Sequence, residues 1–99
     1  VSGSGPAYVF FLAEAMIDAG IAMGLDADTA QHMVHHTILG AAILLESSGE
    51  SAQTLRRYVT SPNGTTAAAI STMEQLGVHE SIVSAMASAH ARSRELSGS

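Results

Sequence analysis

Thr37-Ile38-Leu39-Gly40-Ala41-Ala42-Ile43-Leu44-Leu45 is small or apolar at every position and shows none of the alternation that marks a half-solvated strand. A helix that is apolar all round must be covered on several sides, and Gly40, Ala41 and Ala42 leave room for another backbone to come close. The segment is the second half of a helix that Asp26 caps, that Asp28 supports with negative charge in its first turn, and that ends near Glu46.

Working toward the N-terminus, Gly24 stops a first helix that begins at Ser4-Gly5-Pro6, with Ser4 expected to cap its free N–H groups and Pro6 losing no hydrogen bond there. Tyr8, Phe11, Leu12, Ala15, Met16, Ala19, Ala22 and Met23 cover most of its surface, and only Glu14 and Asp18 mark a polar edge. Those two acids argue for a buried helix of a soluble protein over a membrane span, because an Asp at mid-bilayer costs about 2.5–3.5 kcal/mol on insertion scales. Their spacing is also that of a solvated stripe, and no base or nucleophile joins them as a catalytic pair.

Toward the C-terminus, Ser47-Ser48-Gly49-Glu50 is a turn, and Ser51 opens a short helix through Leu55 to Tyr58. Thr60-Ser61-Pro62-Asn63-Gly64 breaks the pattern. Thr65 or Thr66 starts a fourth helix ending at Leu76 with Gly77 as its cap, and a fifth runs from about His79 to Leu96 before a Ser97-Gly98-Ser99 tail that should fray. The expectation is one all-α domain of about five helices over residues 1–99, without internal repeats. A chain of this size buries only roughly two-thirds of its unfolded surface, so two apolar-all-round helices call for a second copy, a homodimer or larger assembly.

Composition narrows the function. The formal charge is -5, four arginines (Arg56, Arg57, Arg92 and Arg94) are the only basic residues apart from histidine, and no stripe exists to neutralise a run of phosphates, so nucleic acid is not an expected partner. Absence of cysteine removes disulfides and thiolate metal sites and fits the cytoplasm. Val1 to Pro6 lacks the basic start of a signal peptide, and no membrane association is expected.

Chemistry concentrates at Thr60-Ser61-Pro62-Asn63-Gly64-Thr65-Thr66, where hydroxyls crowd a turn that feeds the free N–H groups of a helix start. That combination makes an anion cradle for a small carboxylate or phosphate, helped by the positive end of the helix dipole. The bland alternative is that the hydroxyls only cap the helix, although capping needs just one of them. Arg56 and Arg57 can steer an acid toward the loop or simply balance a helix C-terminus. His32, His35 and His36 have metal-ligand spacing, but no Cys or acidic residue completes the set, so no metal site is expected; His79 and His90 read as ordinary helix residues.

Two motifs, Ser2-Gly3-Ser4-Gly5-Pro6-Ala7-Tyr8 and Val59-Thr60-Ser61-Pro62-Asn63-Gly64-Thr65-Thr66, together resemble the C-terminal domain of pyrroline-5-carboxylate reductases. The likeness continues through Asp18 to Leu25, Leu39 to Ala42 and the closing Arg94-Glu95-Leu96. It implies an intertwined helical dimer, assembling in some members into decamers, within an enzyme that reduces 1-pyrroline-5-carboxylate, a cyclic imino acid, to proline. The hydride would come from NADPH or NADH on an N-terminal Rossmann domain. No Gly-x-Gly-x-x-Gly following a strand occurs in these residues, so the chain is expected to bind no cofactor by itself and to be inactive alone.

By the same resemblance, Ser61 and the backbone N–H groups of Thr65 and Thr66 would hold the substrate carboxylate. The Thr66 hydroxyl would bond the ring nitrogen and assist its protonation. Asn63 stands where the family commonly has Gly, and Arg57 where many members are acidic; the first is tolerable because Asn visits left-handed angles readily. The alternative function is a purely structural homodimerising module without a ligand site.

Overall fold

The computed structural model describes residues 4–98. Val1, Ser2 and Gly3, which open the first motif, and Ser99 lie outside the described residues. Five helices account for the fold, α1 (Gly5–Ala22), α2 (Ala27–Ser47), α3 (Ala52–Tyr58), α4 (Thr65–Gln75) and α5 (Val78–Leu96), and there is no strand among the described residues. The all-α expectation of about five helices holds, with boundaries displaced by a residue or two. The helices fall into two compact units, one built on α1 and α2 and the other on the chain from Gln53 onward.

In the first unit α1 and α2 form a helical hairpin. Leu25 donates its N–H to the Gly20 carbonyl at 3.0 Å and Gly24 to the Ile21 carbonyl at 3.0 Å, the paired bonds of a Schellman stop, with Gly24 at φ 110. α2 then starts as the sequence predicts: Asp26 Oδ1 accepts the Thr29 N–H at 2.9 Å while Oδ2 accepts the Thr29 hydroxyl at 3.0 Å. These bonds favour the ionised carboxylate, first of all the backbone bond from Thr29, and hold the Asp26 pKa below its ordinary value.

The two helices meet where side chains are smallest. A methyl placed on Gly20 would lie 3.3 Å from Ala30 Cβ and 3.4 Å from Leu25 Cδ1, so Gly20 lets α2 approach α1 closely. Ala13, Met16, Ile17 and Gly20 are the half-buried face of α1 near this contact, and Ala30 and Val34 are its buried centre on α2. The α1 start differs from expectation. Ser4 is the N-cap residue, yet its side chain makes no cap bond; its Oγ lies 2.9 Å from the Tyr8 hydroxyl, because its backbone is already helical and swings the side chain along the helix.

In the second unit Gly77 ends α4 in the left-handed region at φ 71 and passes directly into α5, its carbonyl accepting the Ser81 N–H at 2.9 Å. Only a residue without Cβ adopts that angle without cost, which explains how two helices join across just Leu76 and Gly77. At the far end the tail does not fray at once: Ser97 Oγ donates to the Arg94 carbonyl at 2.9 Å and Gly98 N–H to the Glu95 carbonyl at 3.1 Å, closing α5. Arg92 pairs with Glu95 at 3.0 Å on the open surface, where such a pair is worth little.

Ala30 and Val34 are the buried apolar residues among those described, while Phe10, Phe11, Leu39, Ile43, Leu44 and Val83 are each more than half exposed. Two small buried side chains cannot offset the chain entropy of so many ordered residues. α1 is also long and apolar enough to cross a membrane, with a mean hydropathy of 1.3 and none of its residues buried. Some cover from outside the single chain is therefore required by the physics.

Candidate functional site

The hydroxyl-rich loop lies wholly within the second unit. α3 ends with Arg56 and Arg57 in its last turn, cations beside the negative end of the helix dipole. Val59 N–H reaches the Arg56 carbonyl at 3.3 Å and Thr60 N–H the Arg57 carbonyl at 3.2 Å. The Thr60 hydroxyl donates to the Arg56 carbonyl as well. Thr60 thus closes α3 and leaves the group of hydroxyls expected to face a ligand, because a Thr following a helix finds orphan carbonyls within reach.

Ser61 to Gly64 form a tight turn, Gly64 N–H donating to the Ser61 carbonyl at 3.1 Å. Pro62 suits the second position of such a turn and Asn63, at φ 61, supplies the left-handed third, as a type II turn demands. The departure to Asn63 is accommodated by the angle that residue tolerates.

α4 then begins at Thr65 with Gly64 as N-cap, and no side chain caps it. Ala68 N–H makes the first helical bond, to the Gly64 carbonyl at 3.1 Å, so the N–H groups of Thr65, Thr66 and Ala67 stand at the open helix end. Ser61, Thr65 and Thr66 are exposed, and their hydroxyls make no hydrogen bond to any other described residue. Donors and amides that a self-capped helix would have tied up are here left facing outward. Gly64 packs closely on this group: a methyl there would lie 2.6 Å from Ser61 Oγ. Sequence reasoning missed that contact, although a second turn-forming residue directly after Asn63 is a signal that could have raised it.

The remaining candidates do not join this site. The His32 and His36 rings meet at a tilt of 58° with centroids 4.3 Å apart on α2, without His35, and no group of three metal-ligating side chains occurs among the described residues. Glu14 and Asp18 are exposed one turn apart on α1, and His79 and His90 are exposed on α5.

An all-helical chain that leaves most of the apolar surface of its helices uncovered defines a class: a helical dimerisation domain, here with an open, hydroxyl-lined helix start. Comparison with known proteins makes the assignment particular. The profile for "Pyrroline-5-carboxylate reductase dimerisation" matches residues 1–96, and the chain belongs to that family. It is 49% identical over 96 residues to the pyrroline-5-carboxylate reductase of Pseudomonas aeruginosa, covering 97% of this chain and 35% of the relative. It is 43% identical over 97 residues to that of Pisum sativum, covering 98% and 36%.

Among solved structures, a pyrroline-5-carboxylate reductase from Coxiella burnetii superposes with a TM-score of 0.92 at 41% identity, covering 97% of this chain and 36% of that one. The Plasmodium falciparum pyrroline carboxylate reductase with NADP bound gives a TM-score of 0.92 at 32% identity, covering 96% and 38%. The chain thus spans about a third of the length of the curated relatives it matches.

Proposed function

We propose that residues 1–99 form the homodimerising, substrate-holding domain of an NAD(P)H-dependent reductase that converts 1-pyrroline-5-carboxylate to L-proline. The observation that carries this reading is the open start of α4: Gly64 caps nothing with a side chain, the first N–H groups of the helix are unpaired, and Ser61, Thr65 and Thr66 around it are exposed. An anionic carboxylate seated there gains charge-assisted hydrogen bonds from the Thr65 and Thr66 amides and from Ser61 Oγ, together with the favourable end of the helix dipole.

Within that pose the Thr66 hydroxyl bonds the ring nitrogen and holds the proton that the reduced amine requires, a positioned donor at the reacting atom. The chain's own residues do not suit a dinucleotide, since no strand precedes a Gly-x-Gly-x-x-Gly turn among the described residues. NADPH or NADH is accordingly assigned to a separate nucleotide-binding domain, and no step through the cofactor is derived from these residues. The apolar faces of α1 and α2 are covered by intertwining with a second copy, in a dimer or in a decamer built from such dimers. That cover also accounts for α1 without a membrane, and a cytoplasmic, biosynthetic setting follows from the same reading.

The test is imine reduction by a chain in which a nucleotide-binding domain precedes this one. Ser61→Ala and Thr66→Ala are expected to lower kcat/KM for the cyclic imino acid by roughly 10- to 100-fold, the value of a hydrogen bond to a charged group, with the dimer intact. Full activity in both variants would leave the loop as a plain connection and the domain as a structural dimer module.

A further inference from the structure

The backbone does not explain the identity of Gly64. At φ -86 and ψ -179 it occupies extended space open to any L-residue, unlike Gly24 or Gly77. Its surroundings do explain it. A Cβ built on Gly64 would sit 2.6 Å from Ser61 Oγ, 3.2 Å from the Ser61 carbonyl oxygen and 3.8 Å from Ser61 Cβ. All three contacts are to Ser61. The first is closer than real side chains tolerate, and its partner is a hydroxyl on a single rotatable bond, so the hydroxyl would be the group to move.

The carbonyl contact has a different character. The Ser61 carbonyl accepts the Gly64 N–H at 3.1 Å and so belongs to the turn itself, and a Cβ at 3.2 Å asks it to give by a few tenths of an ångström. A side chain at position 64 would therefore press lightly on the turn and, because the 2.6 Å contact is far the tighter of the two, drive Ser61 Oγ into another rotamer, away from its place beside Gly64.

We propose that Gly64 is a positioning residue: its missing side chain holds the space in which the Ser61 hydroxyl stands against the first turn of α4, ready for the substrate carboxylate. The proposal rests on the assignment of Ser61 to that carboxylate. Gly64 itself touches no substrate and acts only through the Ser61 rotamer. The device lets a short turn present a hydroxyl and a set of backbone amides to the same anion, because nothing larger than hydrogen separates them.

The experiment is a double-mutant cycle in the full reductase, with Gly64→Ala, Ser61→Ala and the pair, reading KM and kcat separately and checking helicity and oligomeric state. Gly64→Ala is expected to raise KM for the imino acid about tenfold or more with kcat less affected, as loss of a ground-state hydrogen bond does. In the Ser61→Ala background the same change should alter kcat/KM by less than about twofold, since the group it displaces is already gone. Equal effects of Gly64→Ala in both backgrounds, or wild-type KM in Gly64→Ala, overturn the proposal. Normal kinetics in Ser61→Ala would instead defeat the underlying assignment of Ser61, and the proposal with it. Should Gly64→Ala lose its fold, recovery on adding Ser61→Ala supports the contact, and failure to recover overturns it.

Discussion

Removing Leu39 and Ile43 together tests whether a second copy covers α2. At 100° per residue both lie on the side of α2 opposite Ala30 and Val34, the stripe that meets α1, and they remain 57% and 55% exposed in the single chain. Full burial of such a side chain is worth about 1.5–3 kcal/mol, so roughly half of that remains to be gained by each on association. Two side chains from each of two protomers make the loss in Leu39→Ala/Ile43→Ala roughly 3–6 kcal/mol per dimer, or a rise of about 150- to 25,000-fold in Kd. Sedimentation velocity across nanomolar to micromolar protomer should show the dimer-to-monomer boundary moving up by that factor, with Gln31→Ala as a helix-compatible control. An unchanged boundary with full helicity would refute the claim that this face is buried between copies, and with it the account of how so small a core is sustained.

Because assembly supplies most of the burial, the melting temperature of the wild-type domain should rise with protomer concentration; a midpoint constant over a hundredfold range, roughly 1 to 100 μM, would show a self-sufficient monomer. Gly77→Ala places a Cβ at φ 71 where its nearest neighbour is an unobstructed 3.9 Å away, so the loss is conformational, about 1–2 kcal/mol by denaturant titration, and Gly77→Asn should lose less. Gly20→Val forces apart the closest approach of α1 and α2 and should destabilise by about 1–3 kcal/mol in the same assay. The Asp26 carboxylate has a depressed pKa in the folded state, so its contribution is present above the ordinary carboxylate pKa and is lost as the pH falls through the lowered value. Melting temperatures measured from about pH 6 down to pH 3 should therefore fall less steeply in Asp26→Asn than in wild type.

The helices, their order and most of their ends were legible in the chain because the signals are local. Gly24 and Gly77 stop helices wherever a left-handed residue is needed, Asp26 reaches an amide three residues on, and Pro62-Asn63 turns the chain with its own angles. The loop at Ser61 to Thr66 was legible as a candidate for the same reason. What the hydroxyls do was not: Ser4 turns to Tyr8, Thr60 to the Arg56 carbonyl, and Ser61 stands over Gly64, each choice made by rotamer and neighbour that composition does not specify.

Residue order alone established an all-helical chain with more apolar surface than one copy can hide, and a turn rich in hydroxyls at a helix start. The tertiary structure decided which small part of that surface meets inside the chain, at Gly20, Ala30 and Val34. The reason is geometric. A helix that is apolar on every side carries no phase in its sequence, so periodicity cannot choose the face that packs, and the choice falls to where side chains are small enough for two backbones to approach.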